Sequence, residues 1–428
     1  MQKLIEITIC DGKKEYEIFK ALEARAGEVD DKVAAQVRAI IADVKARGDE
    51  ALRDYSLRFD KYDAAEGFEV DFAEQAKRCA PQVRQAMECA AENIRAFHAR
   101  QLRQSWYADG ALGVMMGQRI RGLHRVGVYV PAGTAPLPSS VLMNVVPAKI
   151  AGVKDIIMVT PPWQGGVDPS IAAAAQIAGV DRMFLLGSAW SMAALAFGTQ
   201  TVPKVDKIVG PANIYGATAK KLLYGTVDID MIAGPSEILV VADETANPAW
   251  LAADLLSQAE HDVLAGIIFL STSHNIAERT VAELERQLAV LPRKDIASEA
   301  LRNNSAFLVC ESMAQALELA NAYAPEHLEL CVQNPLELLG AVDNAGSVFL
   351  GHYTPESVGD YYAGPNHVLP TGGTPRFFSP LSVDDFVKKQ QFIHYTEEAL
   401  RRDMADIVTI AEAELLDAHA RAAKVRFE

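Results

Sequence analysis

Long apolar runs are missing from this 428-residue chain. No stretch approaches the roughly 20 consecutive apolar residues of a transmembrane helix, which excludes an α-helical membrane span. The amino-terminal stretch MQKLIEITICDGKKEYE alternates apolar and polar residues and is charged early, so it lacks the uninterrupted apolar core of a secretory signal. Cysteine is scarce and odd in number: Cys10, Cys79, Cys89, Cys310 and Cys331, with no CxxC spacing. That argues against a disulfide framework and a thiolate zinc site, and for a reducing, cytoplasmic setting. Positive charge is in deficit, with 41 Lys and Arg against 56 Asp and Glu and a net charge of −15. Nucleic acid and anionic membrane are therefore excluded as expected partners. No GxGxxG occurs, so the usual dinucleotide fingerprint is also absent.

The length implies at least two domains. Residues from about 30 to 105 carry apolar side chains at three- and four-residue spacing with charges between, a helical rhythm. From about 126 the rhythm changes. Short β-rich runs alternate with helix-length stretches: VGVYV (126–130), DIIMVT (155–160), RMFLLG (182–187), KIVG (207–210), EILVVAD (237–243), GIIFLST (266–272), AFLVC (306–310), HLELCV (327–332) and SVFLG (347–351). Such alternation builds βαβ units and mostly parallel sheets. After the Gly- and Pro-rich loop GPNHVLPTGGTPRFFSP, the chain from about 380 reads as a separate helical tail.

Ligands of open parallel sheets sit beyond the carboxyl ends of strands, so the loops after strands are searched first. YVPAGTAPLPSS (129–140), VGPANIYG (209–216) and IAGPSE (232–237) pack glycine, proline and small polar residues there. By composition they suit phosphate binding or plain tight turns equally. Nine histidines are present, and four stand in unusual surroundings. His261 lies three residues after Gln258 in LLSQAEHD, a stretch started as a helix by Asn247-Pro248; the two share a face, as a surface pair or as metal ligands. Glu326-His327 in YAPEHLEL places a potential acid and base at a strand mouth, or forms an ordinary loop pair. His367 follows Asp360 by seven residues on a long glycine-rich loop, and His419 follows Glu414 by five on the tail. Histidine, carboxylate and amide donors without thiolate would suit zinc, or manganese or another borderline ion.

Taken in order, VGVYVPAGTAPLPSSVLMNVVPAKIAGV, VDKIVGP, IDMIAGPSEILVVAD, DLLSQAEHD, APEHLEL and TPESVGDYYAGPNHVLPTGG…SPLSVDDF resemble the histidinol dehydrogenase family, from about residue 30 to 428. The resemblance implies a zinc- and NAD-dependent homodimer that oxidises L-histidinol through the aldehyde to L-histidine, the last steps of histidine biosynthesis. It implies zinc ligands Gln258, His261, Asp360 and His419, and an acid–base pair Glu326 and His327. Substrate would be held by Ser236, Gln258, His261, His327, Asp360, His367, Glu414 and His419, and NAD contacted by Tyr129, Asn213 and the residue at 190. The expected fold is α/β, with two Rossmann-like parallel-sheet domains, a small N-terminal helical segment (1–25) and a C-terminal helical domain (381–428) that completes the partner's active site. Residues 26–128 and 236–380 would form the zinc and substrate side, and 129–235 the nucleotide side.

Four positions depart from the family's pattern. Ala132 replaces the first of two glycines after VP, Trp190 replaces a glutamine that contacts NAD, Ala212 replaces the glycine of GPGN, and Leu415 replaces a glycine before the tail histidine. A methyl group where backbone approaches pyrophosphate is a steric problem. Trp190 would stack on the cofactor if NAD binding is kept, and Leu415 would stiffen a helix. Two other readings stay open on the residues: a paralogue oxidising another primary alcohol, such as a sulfonated propanediol, and a zinc-binding relative impaired in nucleotide binding.

Overall fold

The computed structural model describes residues 4–26, 31–65, 67–132 and 135–428. Among them fourteen strands form: β1 Ile7–Ile9, β2 Trp106–Asp109, β3 Met115–Gly122, β4 Arg125–Tyr129, β5 Asp155–Thr160, β6 Arg182–Leu185, β7 Lys207–Val209, β8 Asp228–Ile229, β9 Glu237–Ala242, β10 Gly266–Ser271, β11 Ser305–Val309, β12 His327–Cys331, β13 Ser347–Leu350 and β14 Val387–His394. They build a parallel five-stranded sheet ordered β6-β5-β4-β7-β8, a parallel six-stranded sheet ordered β1-β11-β10-β9-β12-β13, and an antiparallel sheet ordered β14-β3-β2. The chain divides into two units. Residues 1–101 and 123–386 hold both parallel sheets, and residues 102–122 and 387–428 hold the antiparallel sheet and the tail helices. No helix among the described residues is long and apolar enough to cross a membrane.

Both parallel sheets bury two faces, which is why their strands are continuous apolar runs. In the six-stranded sheet Ile238, Val240, Ile267, Phe269 and Phe307 pack in one core. Their neighbours Leu239, Val241, Ile268, Leu270 and Leu308 pack in another, as the strand's twofold alternation requires. The amino terminus contributes here as a strand: β1 pairs with β11, Ile7 opposite Phe307, before the helix Lys14–Ala26. The expected N-terminal helical segment thus begins as an edge strand, because its alternating ITI fits a pleated edge.

The five-stranded sheet shares its core with the N-terminal helices. Helix Asp31–Arg47 carries Asp31 in its first turn and Lys45 and Arg47 in its last, matching the helix dipole. Its stripe Val33, Val37 and Val44 packs with Ile157, Val159, Phe184 and the largely apolar helix Ser188–Phe197. These N-terminal helices therefore pack with the five-stranded sheet, whereas the expected division grouped residues 26–128 with 236–380.

The second unit corrects the tail. β14 pairs antiparallel with β3, from Val387 opposite Gly122 to His394 opposite Met115. Helix begins only at Glu397, where Thr396 accepts from the Ala399 N–H at 3.2 Å. The Lys- and Gln-rich VKKQQFIH favours helix locally, and pairing with β3 overrides that preference. Leu415 stands between the helices Glu397–Ala413 and Asp417–Lys424 at φ 60°, with 87% of its surface exposed. It therefore stiffens no helix: it occupies a left-handed position that glycine fills more readily.

Candidate active site

The centre is built from the beginnings of two central strands and from two helices. β12 opens with His327, paired with Ile238 of β9 on one side and Ser347 of β13 on the other. Glu326 precedes it, and Ser236 precedes Glu237 at the start of β9. A Cβ on Gly346 would lie 2.5 Å from the Glu326 carbonyl oxygen, so only glycine lets β13 approach this closely. Gln258 lies at the end of helix Pro248–Ala259, which starts on Asn247, whose side chain accepts from the Ala249 N–H at 2.9 Å. Asp360 sits on the short helix Glu356–Tyr361.

The His327 ring is buried, and its Nδ1 lies 3.0 Å from the Glu237 carbonyl oxygen. Gln258 Nε2 lies 3.2 Å from the same nitrogen; a carbonyl only accepts, so Nδ1 donates to Glu237 and Nε2 is the ring nitrogen that gains or loses a proton. Nε2 has no hydrogen-bond partner; it faces Asp360 Oδ1 at 3.7 Å and Glu356 Oε1 at 3.8 Å. Glu326 Oε2 accepts from the Glu237 N–H at 2.9 Å and stands 3.6 Å from His327 Nδ1. Burial pushes the Glu326 carboxyl up to about 8, and Glu237 and Glu356 each to about 7. Burial alone would lower the pKa of His327, but the charges of Glu326, Glu356 and Asp360 outweigh it and hold it well above the ordinary imidazole range. Burial raises Asp360, but the neighbouring imidazoles of His327, His367 and His261 hold it below the ordinary carboxylate value.

Of the nine buried side-chain atoms without a partner among the described residues, three belong to this centre: His327 Nε2, Gln258 Oε1 and Glu356 Oε2. Buried polar groups are normally paired, so these mark a place where something else binds. Ligand atoms of His327, Glu356 and Asp360 lie within 4.8 Å of one another. Nitrogen, amide and carboxylate donors with excess negative charge fit a divalent cation such as zinc. His261 lies in the turn just past the helix end, its N–H donating to the Gln258 carbonyl at 3.1 Å, in the field of Asp360 and His327. The helix thus ends before His261, where the sequence pattern carried it through. His367 Nδ1 is 2.9 Å from the Asp360 carbonyl oxygen. Glu414 and His419 belong to the second unit, where both are exposed.

The residues expected to contact NAD, Tyr129 and Asn213, lie at or just past the carboxyl ends of β4 and β7, with Ser188 past β6. Tyr129 Oη accepts from the Ser188 N–H at 3.4 Å. Asn213 caps helix Ile214–Leu223, accepting from the Gly216 N–H at 3.0 Å, and Ser188 Oγ lies 3.3 Å from the same side-chain oxygen. Gly210 has φ 111°, and a Cβ there would lie 2.1 Å from the Tyr129 carbonyl oxygen. The departures from the family pattern are absorbed by packing. Ala132 is buried; the Ala212 methyl points at Gly216, 2.6 Å from where a Cβ would sit. Trp190 is 5% exposed and its ring packs with Tyr55 and Phe59 at centroid distances of 5.9 and 5.5 Å. Its ring area goes to the core, which replaces the expectation that it stacks on a cofactor.

Glu237, Glu356 and Asp60 were missed by sequence reasoning. Glu356 had a signal, since it stands one helical turn before Asp360 in TPESVGD. Asp60 comes beside Gly187 only through the fold.

Fold and site define an α/β enzyme built on a buried histidine–carboxylate centre. A family model described as histidinol dehydrogenase matches residues 23–427. A histidinol dehydrogenase of Bacillus cereus (strain ATCC 10987 / NRS 248) is 52% identical over 428 residues, covering 99% of each chain. One of Geobacter metallireducens is 51% identical over 96% of this chain and 95% of its own. The crystal structure of histidinol dehydrogenase from Elizabethkingia anophelis superposes with a TM-score of 0.92 at 38% identity, covering 100% of this chain and 98% of that one. The chain belongs to the histidinol dehydrogenase family, a family of oxidoreductases.

Proposed function

We propose that this protein oxidises L-histidinol through L-histidinal to L-histidine, consuming two NAD and one water. The observation that carries this is His327: a buried imidazole pinned through Nδ1 to the Glu237 carbonyl at 3.0 Å, with an unpaired Nε2. Nε2 takes the hydroxyl proton as the carbinol carbon gives its first hydride to NAD, leaving the aldehyde. Glu326 then takes a proton from the water that adds to the aldehyde, and the second hydride leaves to a second NAD. Nearby carboxylates stabilise the imidazolium that the first step creates. Ser236, Asp360 and His367 line the substrate's place, and Tyr129 and Asn213 face the nucleotide; Trp190 supports that surface from beneath.

Gln258, His261 and Asp360, with His419 of the partner subunit, would hold zinc, which supplies Lewis acidity and orientation when bound. Gln258 contributes an oxygen without adding charge. Glu414 and His419 lie exposed on the tail unit, which supports a homodimer whose tails complete each other's sites. Five free cysteines support action in the cytoplasm. The test is an absorbance assay of NADH formed from histidinol with the zinc-loaded protein. Two NADH per histidinol are expected. Turnover confined to other alcohols, or zinc retention without NAD binding, would overturn the reading.

A further inference from the structure

Two rows of side chains cross the three elements that carry the centre. Gln258 and Asp254 stand one turn apart on helix Pro248–Ala259. His327 and Glu329 stand two residues apart, hence on one face, of β12. Asp360 and Glu356 stand one turn apart on helix Glu356–Tyr361. The first row is Gln258, His327 and Asp360. The second, Asp254, Glu329 and Glu356, has no part in the chemistry above apart from the Glu356 carboxylate facing His327. Glu329 joins the second row together: its Oε1 accepts from the Glu356 N–H at 2.8 Å, and its carboxyl group comes within 4.8 Å of that of Asp254. It is 1% exposed.

We propose that Glu329, with Asp254, is a positioning residue for the metal centre: one buried carboxyl group ties the Gln258 helix and the Asp360 helix to the strand that carries His327. This rests on the metal reading given above. Two buried carboxyl groups this close repel unless a proton lies between them, and one shared proton would let Glu329 donate to Asp254 while it accepts from Glu356. A glutamine can do both. A leucine of similar size can do neither, and it leaves the Glu356 N–H and the Asp254 carboxylate unpaired in a dry site. Groups that orient metal ligands typically change metal affinity 10- to 100-fold when removed.

The test uses the full-length protein, with zinc retention measured by competition against a chromogenic chelator. Visible spectra of the cobalt(II)-loaded protein and the unfolding midpoint of the metal-free protein are recorded alongside. Glu329→Gln should hold zinc within about twofold of the parent and keep its cobalt bands, while Glu329→Leu should lose at least about tenfold in zinc affinity and shift those bands. Glu329→Leu holding zinc as the parent does, or Glu329→Gln failing as badly as Glu329→Leu, overturns the proposal. Should Glu329→Leu not fold, Asp254→Ala at its half-buried position is read instead: weaker zinc retention supports the proposal and unchanged retention overturns it. Asp360→Asn separates the two layers of inference. If it loses zinc while Glu329→Leu does not, only the positioning role falls; if it keeps zinc, the metal reading falls with it.

Discussion

The two parallel sheets use opposite ends of their strands. In the five-stranded sheet, Tyr129, Ser188 and Asn213 stand at or just past the carboxyl ends of β4, β6 and β7, where the following helices begin. In the six-stranded sheet, Ser236, Glu237, Glu326 and His327 stand at the amino ends of β9 and β12. Helix Met313–Tyr323 ends three residues before Glu326, and Gln258 is the penultimate residue of its own helix. Helix starts offer N–H groups and partial positive charge, which suits the phosphates of a dinucleotide. Helix ends offer carbonyls and partial negative charge, which suits a cation and keeps an imidazole basic. On the proposed reading, one architecture offers an edge suited to an anion and an edge suited to a cation, and backbone polarity favours that division.

Breaking the chemical edge should have the largest effect. His327→Asn should lower the NADH-forming rate about 1000-fold with little change in zinc content; turnover within tenfold of the parent would remove His327 as the base. Next, Asp360→Asn and His419→Asn should each weaken zinc retention at least about tenfold. Mixing the two should restore one intact site per mixed dimer, seen as recovered NADH formation, and no recovery in verified mixed dimers would end the shared-site reading.

The nucleotide edge should respond more mildly. Burial raises the Asp60 carboxyl to about 6, with only the Gly187 N–H in its favour. The native state therefore holds this proton more tightly than the unfolded chain does. Stability associated with Asp60 is full below the ordinary pKa near 3.8 and is lost as pH rises through about 6. Asp60→Asn should flatten that part of the stability–pH curve and raise stability at pH 7 by about 1–2 kcal/mol; an unchanged curve from chemical denaturation would contradict the assignment. Smallest, Asn213→Ala should cost about 1 kcal/mol of stability through the lost helix cap. It should also raise the KM for NAD about fivefold. Zinc retention should not move, and an equal loss of zinc would show that the two edges are not independent.

Much of the parallel architecture was legible. All nine β-rich runs from VGVYV to SVFLG became strands, because strands buried on both faces must be continuously apolar. The exposed antiparallel strands were not legible. In MMGQRIRG and VKKQQFIH the side chains are mixed, and only pairing between distant segments makes them strands. Motifs singled out Gln258, Glu326, His327, Asp360 and His367, which the fold gathers; topology did not, since the crevice rule points to the carboxyl ends of strands. Glu329 reads in the sequence as one more polar residue in HLELCV; its role depends on helices 75 residues upstream and 27 downstream, with Asp254 and Glu356 as the contacts.

The pairing of β3 with β14 has a consequence for how the chain is made. Met115–Gly122 leaves the ribosome long before Val387–His394, an interval of roughly 13–50 s at ~5–20 residues per second. Until then β2 and β3 form only a two-stranded ribbon, which is marginal in water. Trp106, Tyr107 and Met116, exposed even in the finished fold, ride on it. The newborn chain therefore displays an unsealed edge through most of its synthesis, an opening for chaperones and for mispairing alike.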